Sequence, residues 1–228
     1  MVDSRYVGIG LYTLPEVARM LSVPSPKLRR WARGYRYGQG RFSDPLFEHE
    51  FPELTESGVL TFMDLIELSL VVGFLEAGMS MRRIRAAAKR AREQFQTRYP
   101  FATRKFHTDG RRIFAETDLP DRRGRAYEEY PSGQQVFDHI TPPFFKKLDY
   151  EADMIRAYWP LGKDRPVVLN PARAFGQPID PRSGVPTRVL YAMHQAGESA
   201  EAVADWFEIE PEAVRSAIEY EQELAQAA

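Results

Sequence analysis

The 228-residue chain contains no cysteine. That excludes disulfides, thiol catalysis and any zinc site built on thiolates, and it fits a reducing cytosol. Histidine is scarce as well. His49, His107, His139 and His194 are scattered, and no two stand at the spacing that places a pair of metal ligands on one helix face. Gly8-Ile9-Gly10 lacks the third glycine and the preceding strand of a dinucleotide loop, and no P-loop occurs. Adjacent residues in a chain usually point apart, so Asp138-His139 reads as incidental, and Glu128 and Glu129 read as solvated. Long apolar runs are missing too. The most apolar stretch, Leu65 to Leu75, is interrupted by Glu67 and closed by Glu76, so it reads as a buried helix rather than a membrane span. Met1 to Gly10 has neither the basic start nor the apolar core of a secretory signal. The expectation is a soluble, cytoplasmic protein with no catalytic site, no cofactor and no metal.

What is present suffices for a sizeable core. Apolar residues make up 43% of the chain, with 14 Phe, 11 Tyr and 3 Trp, and the length suits one large or two small domains. The net charge of −1 hides a division. Residues 1–46 hold 8 Lys/Arg against 3 Asp/Glu, and residues 82–125 hold 14 against 5. Residues 170–228 reverse this, with 4 basic and 10 acidic. A basic part facing a polyanion and an acidic part facing another partner are expected.

Thr13-Leu14-Pro15-Glu16 has the form of a capping box, and Leu14, Val17, Ala18 and Leu21 give the helix that follows one apolar face. Ser22-Val23-Pro24 ends it. Ser25 as N-cap and Pro26 at the first position open a second helix, stopped by Gly34. Two short helices across a tight turn form a helix-turn-helix candidate. Residues 35–60 suit a loop or small β-wing. Thr61 caps a third helix, apolar on most sides, and Ser80 starts a fourth that is basic outside its Ile84, Ala87, Ala88, Ala91 and Phe95 stripe.

Asp109-Gly110, flanked by 104–108 and 112–116, predicts a hairpin. Residues 119–165, rich in Pro, Gly and aromatics, predict an irregular linker with one short strand around Gln134 to Phe137. A strand over 167–169 and three helices, roughly 186–196, 199–207 and 210–225, complete the chain. The fold class expected is mainly α with a small β component. It comprises a winged helix over 1–98, a hairpin and linker over 99–165, and a trihelical domain over 166–228.

The second helix carries the chemistry. Lys27, Arg30 and Arg33 share one side, Arg29 stands beside them, and Arg36 follows the helix end, while Leu28, Trp31 and Ala32 face inward. A one-sided basic helix in second position suits the major groove, where Arg and Lys bond guanine edges or neutralise phosphates. The expected DNA contacts are Thr13, Ser25, Lys27, Arg29, Arg30, Arg33, Tyr35, Arg36 and Arg41. The acidic tail, with Glu198, Glu201, Asp205, Glu208, Glu210 and Glu212, repels DNA and suits a protein partner or dimerisation.

Tyr12 to Gly34 and Thr61 to Ala91 resemble the two helix pairs of MerR-family winged-helix regulators. The region between is longer and carries Glu48, Glu50, Glu53 and Glu56, and the family's long dimerisation helix is missing, so no ligand-responsive activator is implied. Val167 to Leu224 is similar to the small helical domain of antitoxins encoded beside PIN-like toxins. The features that match are Asn170-Pro171, the turn Phe175-Gly176-Gln177-Pro178, Gly184-Val185-Pro186-Thr187 and the helix start Gly197 to Val203. Taken together the chain resembles a VapB-type antitoxin, with residues 95–165 outside the resemblance.

That resemblance implies a homodimeric type II antitoxin, without enzymatic activity, that represses its own operon by binding operator DNA. It also implies direct neutralisation of a PIN-like ribonuclease toxin. Arg165, Arg173, Arg182, Arg188 and Trp206 are the candidates for partner contact, an arginine being able to compete with a cation in a carboxylate-rich site. The alternative is a MerR-like regulator without a toxin, whose tail is only a dimerisation or effector module.

Overall fold

The computed structural model describes residues 4–103, 106, 113, 133–151 and 154–226. It is mainly helical with small antiparallel sheets. Strand β1 (Leu11–Thr13) leads into helix α1 (Leu14–Met20), and the capping box forms as the sequence predicts. Glu16 accepts from the Thr13 amide at 2.7 Å, and the Glu16 amide donates to the Thr13 hydroxyl at 3.4 Å. Helix α2 (Ser25–Arg33) packs on α1 through Leu28, Trp31 and Ala32. Its N-cap is Pro24 rather than the expected Ser25, and no side chain caps it. Proline already holds the φ that an entering chain needs, so Ser25 falls inside the first turn.

Strands β2 (Tyr35–Tyr37) and β3 (Arg41–Ser43) pair as an exposed ribbon directly after α2. The short helix α3 (Pro52–Ser57) then precedes β4 (Val59–Thr61), which pairs with β1 and so sets the start of the third long element beside the first. Helix α4 (Phe62–Glu76) is capped by a second box, Thr61 with Asp64, and is buried along most of its surface, as its apolar sequence predicts. Helix α5 (Met81–Phe95), capped by Ser80, buries the predicted Ile84, Ala87, Ala88, Ala91 and Phe95.

The middle of the chain departs from expectation. The predicted hairpin lies outside the described residues except for Phe106 and Ile113, and both are helical and fully buried. Where a strand is predicted around 134–137 there is a helix instead, α6 (Gly133–Lys146), which runs through Pro142 and Pro143. Its buried residues Phe137, Thr141 and Phe145 recur every four positions and line one face, a helical period that proline-rich composition masked. Helix α6 crosses α4 closely at Gly73, where a Cβ would stand 2.8 Å from a methyl of Ile140.

The stretch predicted to be irregular also holds β5 (Leu148–Glu151) and β6 (Met154–Tyr158). With β7 (Val168–Leu169) and β8 (Pro178–Ile179) they form a four-stranded antiparallel sheet. One apolar cluster runs from Tyr12 through α4 to Phe145, Ile155 and Leu169.

The last three helices match the prediction closely: α7 (Thr187–Gln195), α8 (Ala200–Phe207) and α9 (Pro211–Gln226). They enclose a small core of their own around Leu190, Val203, Val214 and Ala217. Helix α9 touches α1. The buried Tyr12 hydroxyl donates to the Gly176 carbonyl at 2.6 Å, joining the two ends of the chain. Gly176 has to be glycine: its φ is +83°, and a Cβ would meet the Tyr12 oxygen at 2.6 Å and the Gly10 Cα at 2.8 Å. Among the described residues, no helix is long and apolar enough to cross a membrane.

Candidate nucleic-acid interface

Burial of Leu28, Trp31 and Ala32 fixes the rotation of α2, so the other side of the helix faces water. Lys27, Arg29 and Arg30 are exposed there, and Ser25 is half-buried at the start. The Lys27 ammonium lies 5.1 Å from the Trp31 ring centroid, and the Arg30 guanidinium 5.7 Å from that of Tyr35. Stacking on aromatic rings holds both cations outward without neutralising them.

Arg33 is separated from this group. Its Nε donates to the Thr55 carbonyl at 2.8 Å and a second guanidinium nitrogen donates to the Glu56 carbonyl, so it satisfies the last turn of α3. Thr13 is likewise occupied in its capping box. Tyr35, Arg36 and Arg41 are exposed on the ribbon, beside Tyr37 and Phe42. The ribbon can follow α2 so tightly because Gly34 has φ +73°, and a Cβ there would stand 2.4 Å from the Ser43 carbonyl oxygen. Arg85 of α5 braces the far end, donating to the Asp44 carbonyl at 2.6 Å. The structure thus leaves Lys27, Arg29 and Arg30 on the exposed side of α2, joined at its end by Tyr35 and followed on the ribbon by Arg36 and Arg41.

Two ionisable groups are buried in this part of the core, although the sequence marks Glu67 only as a break in an apolar run and His49 only as one of four scattered histidines. His49 lies between α2 and α4. Its Nδ1 is 2.8 Å from an Asp64 carboxylate oxygen and its Nε2 is 2.7 Å from the Ala32 carbonyl oxygen. Both neighbours are acceptors, so the doubly protonated imidazolium satisfies them. Burial pulls its pKa down, but the hydrogen bond and charge of Asp64, with the Ala32 carbonyl, outweigh that and hold it above the ordinary histidine value. The second Asp64 oxygen accepts the Thr61 amide at 2.8 Å. A histidine in a glutamate-rich loop carries no pattern of its own; the Thr61-x-x-Asp64 box was the one available signal for its partner.

Glu67 is fully buried on α4 and accepts the Phe101 amide at 3.1 Å and the Ala102 amide at 2.8 Å. Burial raises its pKa to about 8, against the pull of those amides and of Arg92. It pins the chain as it leaves α5.

The partner-contact candidates are dispersed. Arg165 pairs with Glu219 and donates to the Leu161 carbonyl at 3.2 Å. Arg173 donates to the Pro181 carbonyl at 2.6 Å, bracing the connector before α7. Arg182 lies 3.6 Å from Glu210, both exposed. Arg188 is exposed and has no such partner among the described residues. Trp206 on α8 is 76% exposed, the most exposed large apolar residue described. Glu201, Ala202 and Asp205 are exposed on the same helix. Among the described residues no group of three or more His, Asp or Glu is arranged to hold a metal ion.

Two family models match the chain. Residues 10–88 match the "Putative DNA-binding HTH domain" and residues 167–220 match the "Protein of unknown function (DUF433)". The Mycobacterium tuberculosis protein named "Putative antitoxin VapB45" is 31% identical, over 92% of this chain and 93% of its own length. A second protein of that organism, "Uncharacterized protein Rv2308", is 26% identical over 92% of this chain and 89% of its own. The X-ray crystal structure of Rv2018 from Mycobacterium tuberculosis superposes with a TM-score of 0.67 at 26% identity, covering 93% of this chain and 99% of that one. With a helix-turn-helix domain at its front and similarity along nearly its whole length, the chain belongs to the VapB45 antitoxin family.

Proposed function

We propose that this chain is the antitoxin of a type II toxin–antitoxin system, which represses its own operon and silences a PIN-like ribonuclease by direct binding in the cytoplasm. The observation that carries the reading is the division of charge between two surfaces of one chain. Outward cations surround the end of α2, while α8 presents a bare tryptophan among carboxylates. A duplex is a polyanion and attracts the first surface. The second repels nucleic acid, and tryptophan is enriched where binding energy concentrates in protein interfaces.

In this reading the front is a MerR-like winged helix over residues 1–98 and the ribbon is its wing. Lys27, Arg29 and Arg30 enter the major groove; Ser25, Tyr35, Arg36 and Arg41 meet the backbone. Thr13 and Arg33 position α1, α2 and α3 behind them. Trp206 and Arg188 of the module over 166–228 face the toxin, and the module over 99–165 joins the two. A homodimer matches the two-fold symmetry usual in operators.

The test is co-expression with the product of the adjacent reading frame, pull-down, and an RNase assay on that product. A complex that silences a nuclease is expected. DNA binding should fall steeply with salt, and Arg36→Ala with Arg41→Ala should lower the salt slope by about two. No partner and no nuclease, with salt-sensitive DNA binding retained, would leave a MerR-like regulator without a toxin.

A further inference from the structure

The ribbon ends in a tip that contact by α2 does not explain. Gly38-Gln39-Gly40 joins β2 to β3, and both glycines have positive φ (54° and 82°) with open space where a Cβ would stand. Gln39 is therefore the one side chain at the tip, and it is exposed. Behind it the register sets Tyr37 opposite Arg41 and Arg36 opposite Phe42. Opposed residues share a face and successive residues alternate. One face thus carries Arg36 with the exposed Phe42, and the other carries Arg41 with the exposed Tyr35 and Tyr37. Neither Arg36 nor Arg41 has an ion-pair or hydrogen-bond partner among the described residues.

An element lying flat on a polyanion needs cations on one face. Cations on both faces suit an element placed between two rows of phosphates. The ribbon leaves α2 after Gly34 alone, and the groove next to a helix seated in the major groove is the minor groove. That groove is about 6 Å wide, too narrow for a two-stranded ribbon but open to a glycine tip. Its floor presents acceptors at A·T pairs and adds the guanine 2-amino group at G·C pairs, a pattern that glutamine can read.

We infer that Gln39 enters the minor groove next to the α2 site, donating from its amide to adenine N3 or thymine O2, with Arg36 and Arg41 against the two phosphate walls. It gives the protein a preference for A·T pairs at that place. The inference rests on the DNA reading proposed above and adds a second, shallow point of sequence choice to it.

The test starts from a duplex selected out of a random-sequence pool by the full chain. Each base pair flanking the α2 half-site is replaced in turn by A·T, G·C or inosine·C. Inosine lacks the 2-amino group, so its pair with C looks like G·C from the major groove and like A·T from the minor groove. At two or three contiguous pairs, G·C should weaken binding by about fivefold relative to A·T, and inosine·C should restore it. Gln39→Ala should erase that difference while still binding the selected duplex. Inosine·C binding as weakly as G·C at every position, or a preference that survives Gln39→Ala, would overturn the inference. Failure to recover any duplex would overturn the DNA reading itself, and this inference with it.

Discussion

His49 Nδ1 stands 2.8 Å from the Asp64 carboxylate, so the imidazole ties the first residues of α4 to the end of α2 through the Ala32 carbonyl. The helix that carries the outward cations is held in place by a buried, titratable ion pair. Its raised pKa gives the contact a direction in pH. Stability from this histidine is fully present below the unfolded value and is lost as pH rises through the higher folded value. His49→Gln should cost about 3 kcal/mol at pH 6, the scale of breaking a buried pair. The gap to the wild type should narrow toward pH 9. Urea unfolding of both proteins across that range measures it; a gap constant in pH would show that folding does not raise the pKa of this histidine.

Glu67 acts in the same direction for a different reason. Burial favours its neutral form, so its contribution is full below the unfolded value and fades as pH rises through about 8. Glu67→Gln removes the buried charge but misplaces one amide donor against the Phe101 and Ala102 amides. Between pH 5 and pH 9 the difference in unfolding free energy should move toward the variant by about 1 kcal/mol or more. An unchanged difference would mean that Glu67 titrates as an ordinary carboxylate.

Gly34→Ala puts a Cβ 2.4 Å from a backbone oxygen at a φ that disfavours side chains. A loss of roughly 2 kcal/mol is expected, with the ribbon displaced from the end of α2. Thermal unfolding reads the first effect. Weakened DNA binding in the still-folded fraction reads the second, and wild-type affinity there would mean that the ribbon contributes nothing.

Trp206→Ala should leave unfolding within about 0.5 kcal/mol of the wild type, because the ring is largely in water. Capture of the toxin should fall more than tenfold, as for a central tryptophan of an interface. Unchanged capture would place the contact elsewhere on the module.

The helix-turn-helix pair was legible because its signals are local. Thr13 and Glu16, the apolar spacing of α1 and the stop at Gly34 all act within a few residues. The three C-terminal helices were legible for the same reason. Helix α6 was not, because its prolines and glycine outweighed the four-residue period of Phe137, Thr141 and Phe145, whose meaning depends on contact with α4. Arg33 shows the converse case. Helical spacing grouped it with Lys27 and Arg30, but two α3 carbonyls lie within its reach and turn it inward.

The sequence by itself determined the elements, the uneven charge and the basic side of α2, since caps, turns and periodicity are properties of short stretches. Only the tertiary structure decided which cations stay free, that His49 meets Asp64, that Glu67 is buried against the chain leaving α5, and that Tyr12 is fastened to Gly176. Those contacts join residues from 15 to 164 positions apart. Taking each of these polar groups out of water is costly unless its partner is buried beside it, and that depends on how the whole chain closes on itself.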